Sequence, residues 1–211
     1  MRIDYSLYLV TDRSLCGSRS TIDVVAAAVA GGVSCVQLRE KHLPVREMIA
    51  EARQLISFLR PLGIPLIVND RVDVALAANA DGVHLGQSDM HIGDARNILG
   101  PGRIIGISAE SVDDAVTAEQ EGADYVGISP VFGTMTKTDI AEPLGLAGVR
   151  EIRWRVGLPL VGIGGISAAN AAEVVRAGAD GVAVVSAIVS AASPENSARE
   201  LFMHVQSGRA N

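Results

Sequence analysis

A five-residue pattern recurs four times along the chain. Gly122-Ala123-Asp124-Tyr125-Val126 matches Gly178-Ala179-Asp180-Gly181-Val182, Asn79-Ala80-Asp81-Gly82-Val83 is close to both, and Gly32-Val33-Ser34-Cys35-Val36 is a degenerate copy. The copies begin at residues 32, 79, 122 and 178, spaced 47, 43 and 56 apart, about one strand–helix–strand–helix unit each time. In each copy a small residue closes a helix and the chain turns into a strand. Around the repeat, short β-branched runs alternate with Ala-rich helical stretches. Strands are predicted over 7–11, 35–39, 66–69, 82–85, 104–108, 125–129, 160–163 and 181–185. Helices are predicted over 22–30, 45–59, 72–78, 92–99, 112–121, 146–156, 168–177 and 195–206. Ser20, Asp70, Ser111 and Ser167 stand where helix caps belong.

The strand runs are apolar throughout, as buried parallel strands require. Eight parallel strands with crossover helices close into a (β/α)8 barrel, a TIM barrel, here a single α/β domain spanning 1–211. With 211 residues the chain is near the short end for that fold, so its loops must be short. The rival, an open doubly wound sheet, calls for a Gly-x-Gly-x-x-Gly turn after the first strand, and the sequence has none there. Composition agrees: 48% hydrophobic residues, 20% charged and a mean hydropathy of +0.30 exclude a disordered chain. The longest apolar runs stop well short of 18 residues, so no membrane span is expected, and the N-terminus has no leader-like pattern. A net charge of −6 without a basic stripe argues against nucleic acid. Cys16 and Cys35 are too few for a disulfide framework, and a cytoplasmic location is the default.

In a barrel the chemistry sits at the C-terminal strand ends. Those ends carry Asp12, Gln37 to Lys41, Asn69-Asp70, Gln87-Ser88-Asp89, Ser108, the stretch Thr134-Met135-Thr136-Lys137, Gly164-Gly165 and Ser186. Arg39, Lys41 and Lys137 read as phosphate binders, against the alternative of solvated loop charges. Asp70 and Asp89 suit Mg2+, which takes one or two carboxylates and completes its shell with substrate oxygens and water. A helix cap, a turn residue or an acid–base pair are the other readings of these two carboxylates. Gly164-Gly165 and Ser186 lie where barrels hold a phosphate after strands 7 and 8, although a tight turn explains two glycines equally. His84, inside an apolar run, reads as a packed, hydrogen-bonded histidine rather than a base. His42, His91 and His204 lack metal-ligand spacing. No Gly-x-Ser-x-Gly elbow accompanies Ser108 or Ser129. Together these residues imply a barrel holding two phosphorylated groups, one bridged by Mg2+.

The motifs Tyr8-Leu9-Val10-Thr11-Asp12, Val36-Gln37-Leu38-Arg39-Glu40-Lys41, Val68-Asn69-Asp70, Gly82 to Asp89 and Thr134-Met135-Thr136-Lys137 resemble the thiamine phosphate synthase family. The resemblance runs from residue 8 to about 190. It implies a Mg2+-dependent transferase acting on small-molecule substrates, a pyrimidine diphosphate and a thiazole phosphate. It implies that Gln37, Arg39, Glu40, Lys41, Asn69, Ser108 and Lys137 hold the pyrimidine diphosphate, with Arg39, Ser108 and Lys137 catalytic. By the same resemblance Asp70 and Asp89 bind Mg2+, and Thr134, Thr136, Gly165, Val185 and Ser186 hold the thiazole phosphate. Gly133 stands where the family pattern has a proline. A thiazole tautomerase-like paralogue and a non-catalytic phosphometabolite sensor are the alternatives, and a homo-oligomer is left open.

Overall fold

The computed structural model describes residues 3–133 and 142–210. Eight parallel strands form a closed barrel in sequence order: β1 (Leu7–Val10), β2 (Cys35–Leu38), β3 (Leu66–Asn69), β4 (Gly82–Leu85), β5 (Ile104–Ala109), β6 (Tyr125–Ile128), β7 (Leu160–Ile163) and β8 (Gly181–Val184). The surrounding helices are α1 (Thr21–Ala30), α2 (Val45–Leu59), α3 (Val72–Ala78), α4 (Ile92–Leu99), α5 (Val112–Gln120), α6 (Gly145–Arg155), α7 (Ala171–Arg176), a short α8 (Ser186–Val189) and α9 (Pro194–Arg209). Among the described residues no helix is long and apolar enough to cross a membrane.

The predicted elements are recovered to within a few residues, and the differences have local causes. Ser20 caps α1 through a reciprocal capping box with Asp23, and Ser111 caps α5 by accepting from the Asp114 amide. Asp70 does not cap α3. Its φ is +60°, its carboxylate turns to Lys41, and Arg71 takes the cap position. Ser167 does not cap α7 either: residues 168–170 form a turn and the helix starts behind Asn170, whose Oδ1 accepts from the Ser167 amide.

The repeat has a mechanical meaning. Its first residue is left-handed in every copy: Gly32 at +108°, Asn79 at +60°, Gly122 at +87° and Gly178 at +117°. Its third residue grips the start of the preceding odd-numbered strand by two bonds. The Asp124 amide donates to Ile105 O, and Asp124 Oδ2 accepts from Ile105 N, both at 2.8 Å. Asp81 does the same to Leu66 at 3.0 and 2.9 Å, and Asp180 to Leu160 at 2.7 and 2.8 Å. Ser34, the degenerate member, grips Leu7 through its amide at 2.9 Å and its hydroxyl at 3.2 Å. Four clamps thus gather the strand starts at the face of the barrel opposite its C-terminal rim.

Asp124→Ala leaves the Ile105 amide without its carboxylate acceptor and removes the partner of Arg96 at 2.7 Å. An unsatisfied, part-buried amide costs about 2 kcal/mol, the exposed ion pair adding little. For a chain of this length that lowers the melting temperature by roughly 4–8 °C, whereas Asp124→Asn keeps an acceptor and loses less. Thermal melts of both variants check this, and an unchanged Asp124→Ala melt contradicts the clamp.

Side chains alternate along each strand. Leu7, Leu9, Val36, Leu38, Leu66, Val68, Val126 and Ile128 face the helices and form the main core. Tyr8, Val10, Cys35, Ile67, Tyr125, Val161 and Ala183 fill the barrel interior. Gly106 makes room for Tyr125, because a Cβ there would collide with the tyrosine ring, and one at Gly127 would press on the His84 imidazole. Bare backbone on β5 and β6 therefore admits two large polar rings to the barrel axis.

Candidate active site

The C-terminal strand ends surround a cavity of about 850 Å3. From β2 and the turn after it come Gln37, Arg39 and Lys41; β3 ends in Asn69 and leads to Asp70. The turn after β4 supplies Asp89, β5 supplies Ser108, and the loops after β7 and β8 supply Gly165, Val185 and Ser186. Ten of the sequence-predicted site residues thus line one cavity. Glu40 is not among the described residues that line it. Its carboxylate pairs with Arg13 at 3.4 Å, and burial, reinforced by the charge of Glu51, pushes its pKa up despite Arg13. Thr134, Thr136 and Lys137 lie outside the described residues.

Local bonds aim the rim groups. The buried Thr11 hydroxyl accepts from the Arg39 amide at 3.0 Å, which fixes the exit of β2. The Arg39 guanidinium meets Asp12 Oδ2 at 3.4 Å, and Lys41 Nζ meets Asp70 Oδ2 at 2.8 Å. Asp89 accepts from the Gly86 amide at 2.7 Å. Desolvation raises the Asp89 pKa, the negative charge of Asp70 raises it further, and the Gly86 amide opposes both. Two neighbouring carboxylates that present oxygen donors only, with Asp70 disfavouring the charge on Asp89, are a fit for a hard divalent cation.

On the opposite lip, Gly164 and Gly165 have φ of +99° and +61°. A Cβ at Gly164 would lie 2.7 Å from Pro130 Cβ, and one at Gly165 would lie 2.8 Å from Phe132 Cβ. Close approach of the loop after β6 is therefore reason enough for both glycines, and the phosphate reading depends on their neighbours. Those neighbours are Val185 and Ser186, where α8 begins. Arg19 reaches across from the segment before α1 and donates to Val189 O and Ala191 O, each at 2.8 Å, which ties down the far end of α8.

On the cavity floor, Gln37, Ser108 and His84 are joined by two groups the sequence reading did not assign, Tyr8 and Tyr125. Gln37 Nε2 donates to Tyr8 Oη at 3.0 Å, and Tyr8 Oη lies 2.9 Å from Tyr125 Oη. Tyr125 Oη is 2.8 Å from His84 Nδ1, and His84 Nε2 is 2.9 Å from Ser108 Oγ. The reading of His84 as a packed, hydrogen-bonded residue agrees with this. Tyr8 and Tyr125 had a signal available: both occupy the inward-facing parity of their strands, Tyr125 at the fourth position of the repeat. Side-chain parity becomes informative once the barrel register is known.

A family model described as "Thiamine monophosphate synthase" matches residues 7–188. A thiamine-phosphate synthase of Chloroflexus aurantiacus is 53% identical over 199 residues, 94% of this chain and 92% of the relative. That of Clostridium novyi is 51% identical over 189 residues, 90% of this chain and 93% of the relative. A solved structure of thiamine phosphate pyrophosphorylase from Pyrococcus furiosus superposes with a TM-score of 0.90 at 41% identity, covering 97% of each chain. A 3-hexulose-6-phosphate synthase, 17% identical with a TM-score of 0.67 over 94% of this chain and 99% of that one, shares the fold.

Proposed function

The chain belongs to the thiamine monophosphate synthase family, and from that premise we propose that it joins a hydroxymethylpyrimidine diphosphate to a thiazole phosphate, yielding thiamine phosphate and diphosphate. The observation that supports this reading is the make-up of one cavity wall. Arg39, Lys41, Asp70 and Asp89 stand on it together, facing a lip that carries Gly165 and Ser186. Two phosphorylated partners need two anion sites within reach of one reacting centre, and the cations on the one wall with the glycine and hydroxyl on the other support that reading.

In this reading Gln37 and Asn69 hold the pyrimidine, and Arg39 and Lys41 hold its diphosphate together with Ser108 and Lys137. Gly165 and Val185 present backbone to the thiazole phosphate and Ser186 its hydroxyl, with Thr134 and Thr136 completing that site. Asp70 and Asp89 would hold Mg2+. The ion, when bound, supplies Lewis-acid neutralisation of charge on the diphosphate oxygens. Glu40, between Arg39 and Lys41 in the chain, has its carboxylate paired with Arg13.

The chemistry needs little else from the protein. The methylene C–O bond breaks and its electron pair leaves with diphosphate, where Arg39 and Lys41 meet the growing negative charge. The pyrimidine amino group delocalises the positive charge left on the methylene. The thiazole nitrogen then donates its lone pair to form the C–N bond, and no proton is lost. A general base is not required, which agrees with a floor whose single histidine is engaged by Tyr125 and Ser108.

Diphosphate release that requires both substrates and stops in excess chelator is the expected result. Release from the pyrimidine substrate without the thiazole, or binding of both with no product, refutes the proposal. Ser186→Asp tests the second anion site. A carboxylate there suits the start of α8 but repels phosphate. The variant is expected to raise the KM for the thiazole phosphate more than tenfold and to leave that for the pyrimidine diphosphate within about twofold. Equal losses for both substrates in steady-state kinetics contradict the assignment.

A further inference from the structure

The mechanism above uses the two ends of the barrel's polar floor, Gln37 and Ser108, and gives no role to the three rings that connect them. Gln37, Tyr8, Tyr125, His84 and Ser108 form one unbroken chain from the end of β2 to the end of β5, with links of 2.8 to 3.0 Å. Tyr8 is 1% exposed and Tyr125 fully buried. Burial pushes both phenols far above their ordinary pKa, so each carries its proton. With the Gln37 amide nitrogen turned to Tyr8 and a neutral imidazole at His84, each phenol has one hydrogen to give and the chain can be ordered in two directions.

In one direction Gln37 donates to Tyr8, Tyr8 to Tyr125, Tyr125 to His84 Nδ1, and His84 Nε2–H to Ser108 Oγ. Every hydrogen then meets oxygen or nitrogen. In the other, Tyr125 donates to Tyr8, His84 Nδ1–H to Tyr125, and Ser108 to His84 Nε2. Tyr8 would then accept from both Gln37 and Tyr125, and its own hydrogen would be left to the adjacent Cys35 thiol, a weak acceptor. The first direction is favoured, because a buried donor without a good acceptor is costly.

We infer that this chain fixes His84 as its Nε2–H tautomer and thereby sets Ser108 as a hydrogen-bond donor toward the bound substrate, with Tyr125 and His84 as positioning residues. Ser108 Oγ accepts from His84 and turns its own hydrogen to the cavity it lines, the polarity that an anionic diphosphate oxygen requires. The assignment of the substrate partner rests on the reading of Ser108 given above; the tautomer does not.

The test is a long-range 1H–15N correlation spectrum of the 15N-labelled protein at neutral pH. The His84 signals are identified by their loss in His84→Gln. The expected wild-type pattern is a protonated, pyrrole-like Nε2 and an unprotonated, pyridine-like Nδ1. Ser108→Ala should keep that pattern, because Tyr125 still donates to Nδ1. Tyr125→Phe, which removes one oxygen from the packed interior, should give mixed tautomers. It should also weaken pyrimidine diphosphate binding about twofold by calorimetry, the loss expected when only about half of the molecules keep Ser108 set as a donor, without changing thiazole phosphate binding. A proton on Nδ1 in the wild type overturns the inference. So does a tautomer that follows Ser108→Ala and ignores Tyr125→Phe, or pyrimidine diphosphate affinity unchanged in Tyr125→Phe. The spectrum needs no substrate, so a chain that makes no thiamine phosphate would refute the proposed function without deciding the tautomer.

Discussion

Asp70→Asn and Asp89→Asn are each expected to lower kcat/KM by about 10³-fold, because neutralising a charged leaving group through a metal is worth several kcal/mol. Asparagine separates this effect from folding. Asp70 has a φ of +60°, a conformation that asparagine adopts as readily as aspartate. Asparagine at 89 keeps an oxygen for the Gly86 amide. The sign at Asp89 also favours an intact fold. Its carboxyl is held above the ordinary aspartate pKa, first by desolvation and then by Asp70, so ionising it opposes folding at neutral pH. That cost disappears as pH falls through the raised pKa, and a neutral residue removes it at every pH. Without Mg2+ the Asp89→Asn melt should therefore equal or exceed the wild-type melt. With Mg2+ only the wild type should gain stability, by mass action. Full activity of either variant, or of the wild type in excess chelator, contradicts the metal assignment. If Asp70 and Asp89 hold Mg2+, the raised pKa should make its affinity weaken, as pH falls, earlier than at an ordinary aspartate pair.

Arg39→Ala is expected to reduce kcat by about 10²–10³-fold, the loss typical of one preorganised electrostatic contact to charge that develops in the transition state. The side chain is one-fifth exposed, Asp12 holds its guanidinium at 3.4 Å, and Thr11 holds its backbone. Such a group is aimed before substrate arrives. Arg39→Lys keeps the charge but loses the planar fork, so it should recover part of the rate. Lys137→Ala should match Arg39→Ala in size if Lys137 takes the place among the diphosphate contacts that the resemblance implies. Steady-state kinetics decide: an arginine that is only a solvated rim charge would leave kcat and KM nearly unchanged.

The barrel was legible in the sequence because its signals are local. Glycine or asparagine at a left-handed helix end, a small buried residue, then Asp or Ser gripping the previous strand is a pattern written in five consecutive residues. Rim residues were legible for a related reason, since strand ends announce themselves where apolar runs stop at Gln37, Asn69 and Ser108. Pairings across elements were not. That Asp70 turns to Lys41 instead of capping α3 depends on a left-handed backbone and on a loop 29 residues away in sequence. Glu40 sits between rim residues in the chain, yet its buried carboxylate pairs with Arg13 from the segment after β1. The Tyr8–Tyr125 contact joins β1 to β6 across the barrel axis, and only closure of the sheet brings those strands face to face.

The most direct measurement of the central claim is product formation by the purified chain with pyrimidine diphosphate, thiazole phosphate and Mg2+, following thiamine phosphate by mass spectrometry and diphosphate by a coupled assay. The expected result is equal molar release of the two products, dependent on both substrates and abolished by chelator. Absence of thiamine phosphate under conditions where both substrates bind, or diphosphate released without an equal amount of thiamine phosphate, would contradict it.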